Sequence, residues 1–455
     1  MRSPTGSSLS RRGLLAAALG ATGRGAATTS SPTADSPDAP SLRWTFDRSN
    51  VDFVYPVTVD GGTAYTVTRS DGSDPREDAR RRASLYAVDV ESGEEQWNRT
   101  LGEYASFHEV GDGLVYAVGT DRREDEPVST LYAVDAESGL VEWKRRSNRS
   151  TGSRPRLVGD TVYVAWEGSL VAYDAASGER RWTFGDADNL VTSVLSPFPV
   201  RTDETLFFSD RRSVVAVDRG DGTEVWREPL SEHDQRPVGT DGERVVVWGD
   251  GGALALGVDD GARRWEFPMS AGGYWFPGTF RGGTMYVWGS DLYAVDVASG
   301  DEEWRFEVPT GERSAGLSPQ FADGTLYAPT RLGSLHAVDA ASGEERWSFE
   351  RDATTSPLWG GVLDGRVYVP SGGELYALDA RNGDRRWRFA PSATTTDRPS
   401  DERRRASRMV WAEATDELVF AGAEDGSLYA VERQRSPLAA AMDDASEFLA
   451  SDAGM

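Results

Sequence analysis

The chain has 455 residues, a formal charge of −25 and a pI of about 4.6, and Lys144 is the single lysine among its 49 basic residues. No basic stripe is available to neutralise phosphates, which excludes nucleic acid as a partner. The chain has no cysteine, which excludes disulfides, thiolate zinc sites, cysteine nucleophiles and a lipidated cysteine anchor together. A dense acidic surface nearly free of lysine suits a protein kept soluble in concentrated salt, where long-range repulsion is screened, so the composition reads as halophilic.

Residues 1–40 do not read as fold. "SRRGLLAAALG", residues 10–20, sets two arginines before a short apolar run, the pattern of a twin-arginine export signal. The run is too short to span a bilayer as a helix, and small residues at 25–27 offer a cleavage point. "TTSSPTADSPDAPS" follows and reads as a flexible linker. No later segment is apolar enough to cross a membrane. The expectation is therefore an exported protein, at the cell surface or outside the cell.

From residue 41 to 435 the chain repeats itself. The pattern A-x-D-x-x-x-G-x-x-x-W occurs at Ala87/Asp89/Gly93/Trp97, Ala133/Asp135/Gly139/Trp143, Ala172/Asp174/Gly178/Trp182 and Ala216/Asp218/Gly222/Trp226. It returns at Ala294/Asp296/Gly300/Trp304, Ala337/Asp339/Gly343/Trp347 and Ala377/Asp379/Gly383/Trp387. A further copy, Ala255/Gly257/Gly261/Trp265, keeps the spacing without the Asp, and "LYAVER" at 428–433 begins a copy that never reaches a Trp. Each residue type has a mechanical reason. The alternating "LYAVD" is a strand; the Asp ends it and caps the next turn's amides. The Gly supplies a positive φ for the hairpin, and the Trp offers a flat ring to the adjacent repeat. These tryptophans and aspartates therefore read as a structural docking motif rather than as ligand binders.

Another short strand precedes each "YAVD", as in "TVYVAW" (161–166) and "RVYVPS" (366–371), and an earlier segment is often marked by Pro. Successive motif tryptophans from Trp44 to Trp387 lie 39 to 53 residues apart. Four antiparallel strands per unit, repeated around a ring, predict an all-β fold, a β-propeller of four-stranded blades. "LRWTF" (42–46) is an outer strand with no unit before it, and "LYAVER" is a third strand with none after it. Together they make one blade, so the N- and C-terminal strands close the ring. Residues 436–455 form a short tail.

The docking pattern resembles that of the PQQ-like propeller family (pyrroloquinoline quinone). The split closing blade and plain short repeats are most similar to its non-catalytic branch, which includes the assembly factor BamB. The resemblance covers about residues 41–433 and implies a scaffold that binds a protein partner. Two departures stand out. The family usually has eight blades, whereas nine units are counted here. Its quinoprotein dehydrogenases place a vicinal cysteine pair over the cofactor, with acidic calcium ligands and a catalytic Asp on added loops, and nothing here maps onto those residues. The resemblance therefore implies no catalytic, cofactor or metal residues. The calcium-loop-like string at 218–224 reads as a plain turn, and His336, in the Tyr slot of "LHAVD", reads as a packing residue. No lipase elbow, zincin helix or phosphate-binding glycine loop is present.

With strands lettered a to d from the channel outward, the b–c and d–a loops share one face and the a–b and c–d turns the other. The long insertions, 69–84, 121–129 and 391–408, are b–c and d–a loops and fall on the same face, where binding usually sits. The residue at the start of each strand a should line the channel rim: Tyr55, His108, Arg154, Ser196, Arg236, Phe276, Ser318, Ser356 and Met409. Of these, Tyr55, His108, Arg154, Arg236 and Phe276 form the candidate ligand rim, where arginine in so acidic a chain suits an anionic group or acidic partner loop. The sequons at Asn98 and Asn148 would place glycans at the start of d–a loops. The reading is a non-enzymatic, monomeric, exported scaffold that binds a partner protein at the cell surface and needs no cofactor. The alternatives are a quinoprotein-type oxidoreductase that binds PQQ and a carbohydrate-binding propeller.

Overall fold

The computed structural model describes residues 40–47, 53–70, 82–122, 127–147, 154–166, 168–185, 200–210, 212–230, 236–249, 252–268, 279–288, 291–308, 319–330, 334–350, 360–371, 373–391 and 409–433. These form nine antiparallel sheets, one per sequence unit, arranged as the blades of a β-propeller. Blade one holds strands Phe53–Val54 and Thr58–Asp60 (a), Thr63–Ser70 (b), Arg82–Asp89 (c) and Glu95–Gly102 (d). Its strand a is split at Pro56, which has no N–H to give to the ladder, and both pieces pair with strand b. Blades two to eight each hold four strands in chain order.

Blade nine is built from both ends of the chain. Leu42–Phe46 pairs antiparallel with Leu428–Glu432, outside Leu418–Ala423 and Met409–Ala414. The count of nine, one above the family's usual eight, is therefore the count of the sequence units. The hairpin of the unit without a motif Asp is as regular as the others. It keeps the bonds Gly257 N to Ala262 O, 2.8 Å, and Gly261 N to Gly257 O, 2.9 Å. Asp260 caps the turn from within, accepting from the Ala262 amide at 3.0 Å and pairing with Arg264.

One backbone bond recurs in all nine blades and fixes the two faces. The residue after the strand-c terminus donates to the a–b turn, as in Val90 N to Gly62 O, Ala136 N to Gly113 O and Arg433 N to Glu417 O. The a–b and c–d turns are thereby tied together on one face. The b–c and d–a connections are left to the other.

The core sits between blades as well as within them. Each Trp stands opposite the motif Ala of its own blade, as in Ala294 to Trp304, and from Trp44 to Trp347 its ring lies over the motif Gly of the next. A Cβ on Gly343 would come within 2.7 Å of the Trp304 ring, and one on Gly93 within 2.5 Å of Trp44. The glycine thus serves twice, since its φ is also positive, 75° at Gly343, where a side chain is disfavoured. The indole N–H donates to the next blade's turn: Trp97 to Ala136 O at 2.9 Å, Trp182 to Arg219 O at 2.9 Å, Trp304 to Ala340 O at 3.0 Å. At the ring closure, Trp44 donates to Val90 O at 2.8 Å.

Docking is less uniform than the repeated motif predicts: Trp387 has no acceptor for its N–H, and Trp226 and Trp265 depart on either side of the Asp-lacking unit. Both still dock. Trp226 lies over Gly261 and donates to Val258 O at 2.6 Å; Trp265 lies over Gly300 and donates to Val297 O at 2.8 Å. The strand-b residue opposite the motif Ala makes the difference. In blade four it is Phe207, whose ring sits 5.8 Å from Trp226 and has no hydroxyl to share the Val258 acceptor. In blade five it is Val246, too small to cover an indole. Trp265 is accordingly half-buried, whereas the other motif tryptophans are buried.

Between motif Ala and the next residue of strand c, each c–d ladder from blade one to blade eight shifts register by one residue, a β-bulge the residue types do not announce. The residue before the Trp is the extra one. Where it is arginine and the unit has a motif Asp, it reaches back to that carboxylate: Arg181 to Asp174 at 2.7 Å, Arg346 to Asp339 at 2.5 Å, and Arg386 to Asp379.

The motif aspartates are acidified by these contacts. Arg181 and the Ser177 amide hold Asp174 at about 2, and Arg346 and the Ser342 amide do the same for Asp339. Arg181 also holds Asp160 at about 2. A carboxylate depressed on folding stabilises the fold above its ordinary value of 3.8 and loses that contribution as pH falls through its folded value. At constant salt, the melting temperature should therefore drop between about pH 4 and about pH 2. Arg181→Met, which leaves Asp160 and Asp174 without their partner, should make that drop shallower in thermal melts. An identical acid profile in the variant would contradict the assignment.

Candidate binding surface at blades one to three

Strands b and c are five or six residues long in blades three to nine, but eight in blade one and nine in blade two, Leu114–Arg122 and Pro127–Asp135. The extra residues lie toward the face of the b–c and d–a loops and raise two neighbouring hairpins by roughly 7–10 Å. Parts of the two b–c insertions are therefore strand rather than loop. Residues 69–70 and 82–84 belong to the first hairpin, and 121–122 and 127–129 to the second. Paired hydroxyls help carry the ladder upward: Thr120 and Ser129 meet at 2.9 Å. The insertion tips, 71–81 and 123–126, and residues 392–408 lie outside the described residues.

The raised hairpin of blade two is held tightly against the outer strand of blade one and the connection that follows it. The Glu103 amide donates to Thr120 O at 3.0 Å. Gly119 lies so close to blade one that a Cβ there would be 2.0 Å from the Leu101 carbonyl. Only glycine permits that approach.

Below this wall, the inner strands of three successive blades bring charged and aromatic groups together. Tyr55 is held by its backbone, its N–H bonding Val67 O at 2.9 Å and its carbonyl accepting from Thr66 Oγ1 at 2.7 Å, with its ring edge-on to Phe53 at 4.9 Å. Glu109, on strand a of blade two (Tyr104–Gly111), is ion-paired with Arg156, on strand a of blade three (Arg156–Val158). Arg154 stands two residues earlier, half-buried. Burial pulls its pKa down and neighbouring Arg156 adds to the effect, while Tyr55 and Glu109 oppose it. The arrangement is a partly desolvated cation beside a second guanidinium, where an incoming anion meets more positive field than the net charge of the chain implies.

The other rim residues distribute differently from the sequence expectation. His108 lies inside strand a of blade two, paired with Ala117 next to a bulge, because that strand starts four residues earlier, at Tyr104. Arg236 opens strand a of blade five (Arg236–Thr240) and is half-buried, away from the blade-one-to-three group by sequence of blades. Met409 is a correction: it is 3% exposed and packs with Tyr368 and Leu375 of blade eight, so it belongs to the core between blades and not to the rim. Phe276, Ser196, Ser318 and Ser356 lie outside the described residues. Sequence reasoning missed Glu109 and Arg156. The alternating pattern gives them no mark, and only their pairing across two blades singles them out.

Asn98 is corrected as well. It lies within the outer strand Glu95–Gly102 and is exposed, with its amide donating to Glu95 Oε1 at 2.6 Å, so it faces the outer wall of the ring instead of opening a d–a loop. Asn148 lies outside the described residues. His336 is buried between blades, its ring 5.4 Å from Phe306 and its Nδ1 2.8 Å from Glu345. Asp218 caps its own turn by accepting from the Gly220 and Asp221 amides at 2.7 and 3.1 Å.

Nine four-stranded blades, tryptophan docking at the seams and a ring closed by both termini define a tryptophan-docked β-propeller. The chain belongs to the PQQ-like repeat family whose model is described as outer membrane protein assembly factor BamB, matched over residues 33–184, 166–274 and 288–439. A curated relative, the serine/threonine-protein kinase AfsK of Streptomyces coelicolor, is 27% identical over 184 residues, 38% of this chain and 21% of the kinase. The chain thus spans about a fifth of that relative's length. Among solved structures, the computationally designed Ika8 protein shares the fold at a TM-score of 0.50 and 12% identity, over 85% of this chain and 97% of that one. BamB from Moraxella catarrhalis aligns at a TM-score of 0.49 and 15% identity, over 72% of this chain and 98% of its own. Among the described residues no helix is long and apolar enough to cross a membrane.

Proposed function

We propose that this propeller is an exported, non-enzymatic scaffold that binds the acidic segment of a partner protein on its insertion-bearing face. The observation that carries the reading is the convergence of Tyr55, Glu109, Arg154 and Arg156 from three blades beneath the raised hairpins of blades one and two. An arginine partly stripped of water gains more from a carboxylate than one in bulk solvent does. The rigid hairpin wall beside it restricts which segments can approach. Membership of a family whose model carries the name of an assembly factor supports a binding role. The residues present do not fit a PQQ–calcium pair: the chain has no cysteine, and among the described residues no three His, Asp or Glu side chains stand close enough to hold a metal ion.

The test is capture of crosslinked partners from native cell envelopes in molar salt, identified by mass spectrometry, with wild type and Arg154→Ala compared. Loss of one charge-assisted contact should lower capture about tenfold, with the melting temperature unchanged. Equal capture by the two proteins would overturn the site. Saturable uptake of PQQ with calcium, accompanied by dye-linked turnover, would overturn the non-enzymatic reading.

A further inference from the structure

At four seams the aromatic of strand b and the docking Trp of the same blade donate to a single carbonyl oxygen of the next blade. Ala136 O accepts from Tyr65 at 3.1 Å and Trp97 at 2.9 Å, and Ala175 O accepts from Tyr116 and Trp143 at the same distances. Ala340 O accepts from Tyr286 at 3.2 Å and Trp304 at 3.0 Å, and Ala380 O accepts from Tyr327 and Trp347 likewise. The Tyr and Trp rings at these seams lie 5.8 to 6.0 Å apart between centroids.

Blade eight has the same pair in the same geometry. Tyr368 and Trp387 lie 5.9 Å apart at an interplanar angle of 47°, and each residue is 1% exposed. Their donors therefore converge on one point, as at the other seams. Here neither Tyr368 Oη nor Trp387 Nε1 has a partner. In the split blade nine the counterpart of the accepting residue is Arg433, whose amide makes the same bond to the a–b turn, Glu417 O at 2.9 Å, but whose carbonyl accepts from neither donor; strand d there comes from the other end of the chain. Arg433 reaches back across this seam to Asp364 of blade eight at 2.7 Å, with its side chain only 3% exposed. Its Nε and Nη1 are also buried without partners. All of the orphaned groups are N–H or O–H donors. Buried donors left unpaired are costly, and a cluster of them marks an ion or water site.

The charge at the seam decides between those two. Arg433 and Arg366 both act on Tyr368, against Asp364 alone, and burial pushes the phenol up to about 12, so it stays a donor. Two guanidiniums against one carboxylate leave a net positive charge beside the buried donors, which favours an anion over water. At the sister seams one carbonyl oxygen satisfies both donors, so a single acceptor atom suffices for the same pair here.

We infer that the seam between blades eight and nine binds a small monatomic anion, a halide, held by Tyr368 Oη, Trp387 Nε1 and the Arg433 guanidinium. The ion takes the place at which the other four seams present a carbonyl oxygen, next to the blade that closes the ring.

The full chain is tested in two ways. In crystals grown in bromide, an anomalous peak should appear within hydrogen-bond distance of Trp387 Nε1. A water or a main-chain carbonyl at that point overturns the inference. In thermal melts, sodium chloride is exchanged for sodium methanesulfonate at equal ionic strength, which holds the screening of surface charge constant. Wild type should melt roughly 2 °C lower without the halide. Arg433→Met and Tyr368→Phe should each show little difference between the two salts, the second keeping the aromatic packing in case the first folds poorly. Equal wild-type melting in both salts, or an undiminished shift in the variants, overturns it.

Discussion

Trp304→Ala should lower the stability of the propeller by about 3–5 kcal/mol, the range for truncating a buried aromatic. The ring fills the seam between blades six and seven, 9% exposed, with Tyr286 on one side and Gly343 beneath it. Its N–H is one of two donors on Ala340 O, at 3.0 Å, and the Tyr286 hydroxyl remains at 3.2 Å. The loss is therefore dominated by the cavity and not by an orphaned carbonyl. Gly343→Ala attacks the same contact from the other blade, since its Cβ would press to 2.7 Å of the indole at a φ of 75° that disfavours a side chain. Both variants should destabilise, and their combination should cost less than the sum, because removing the indole removes the clash. Denaturant melts measure this. For a ring of this size the single Trp variant should melt roughly 5 °C lower, and a shift below about 1 °C would show that the seam does not depend on the ring.

The second large effect lies at the ring closure. Deleting residues 1–39 should leave the melt near that of the full chain, whereas deleting residues 1–46 should unfold the propeller or lower its melting temperature further than Trp304→Ala. The seven additional residues include the strand Leu42–Phe46, which carries Trp44, 1% exposed, and Phe46, 5% exposed. Trp44 packs on Phe420 in its own blade at 5.8 Å, lies over Gly93 and donates to Val90 O of blade one. Two buried aromatics are lost, each worth about 3–5 kcal/mol. The Leu428–Glu432 strand also becomes an unpaired edge, a liability for aggregation. Equal melts for the two truncations would show that the terminal strand is not the clasp.

The repeat was legible because each of its parts acts over a short range. An Ala that leaves room for a ring, an Asp that caps the following turn, a Gly with positive φ and a Trp at fixed spacing describe one blade and its nearest neighbour. The two broken copies at 42–46 and 428–433 likewise gave both the ninth blade and the means of closure. The unit around Ala255 lacks the motif Asp. Its turn is regular, because Asp260 caps it from three residues further on.

What the residue pattern could not convey depends on which blades stand side by side and on where each ladder begins and ends. The second role of the motif glycine, as the bed for the preceding blade's Trp, appears only when two blades are packed. The motif spacing is the same for Trp226 and Trp265 as for Trp304, yet what covers each indole is set by its cross-strand neighbours, Phe207, Val246 and Tyr286 in turn. The bulge before each Trp brings Arg181, Arg346 and Arg386 onto the motif carboxylates, yet it leaves no mark in the alternation of residues. Met409 and His108 stand at the sequence position of a rim, but ladder pairing places Met409 in the core and His108 within a longer strand. Glu109 and Arg156 are 47 residues apart and meet because blades two and three are neighbours around the channel. Local chemistry repeats with the sequence and can be read from it. The binding surface and the unfilled seam at blade eight arise where the repeat is extended or interrupted, and the consequence of either is set by the neighbouring blade in space.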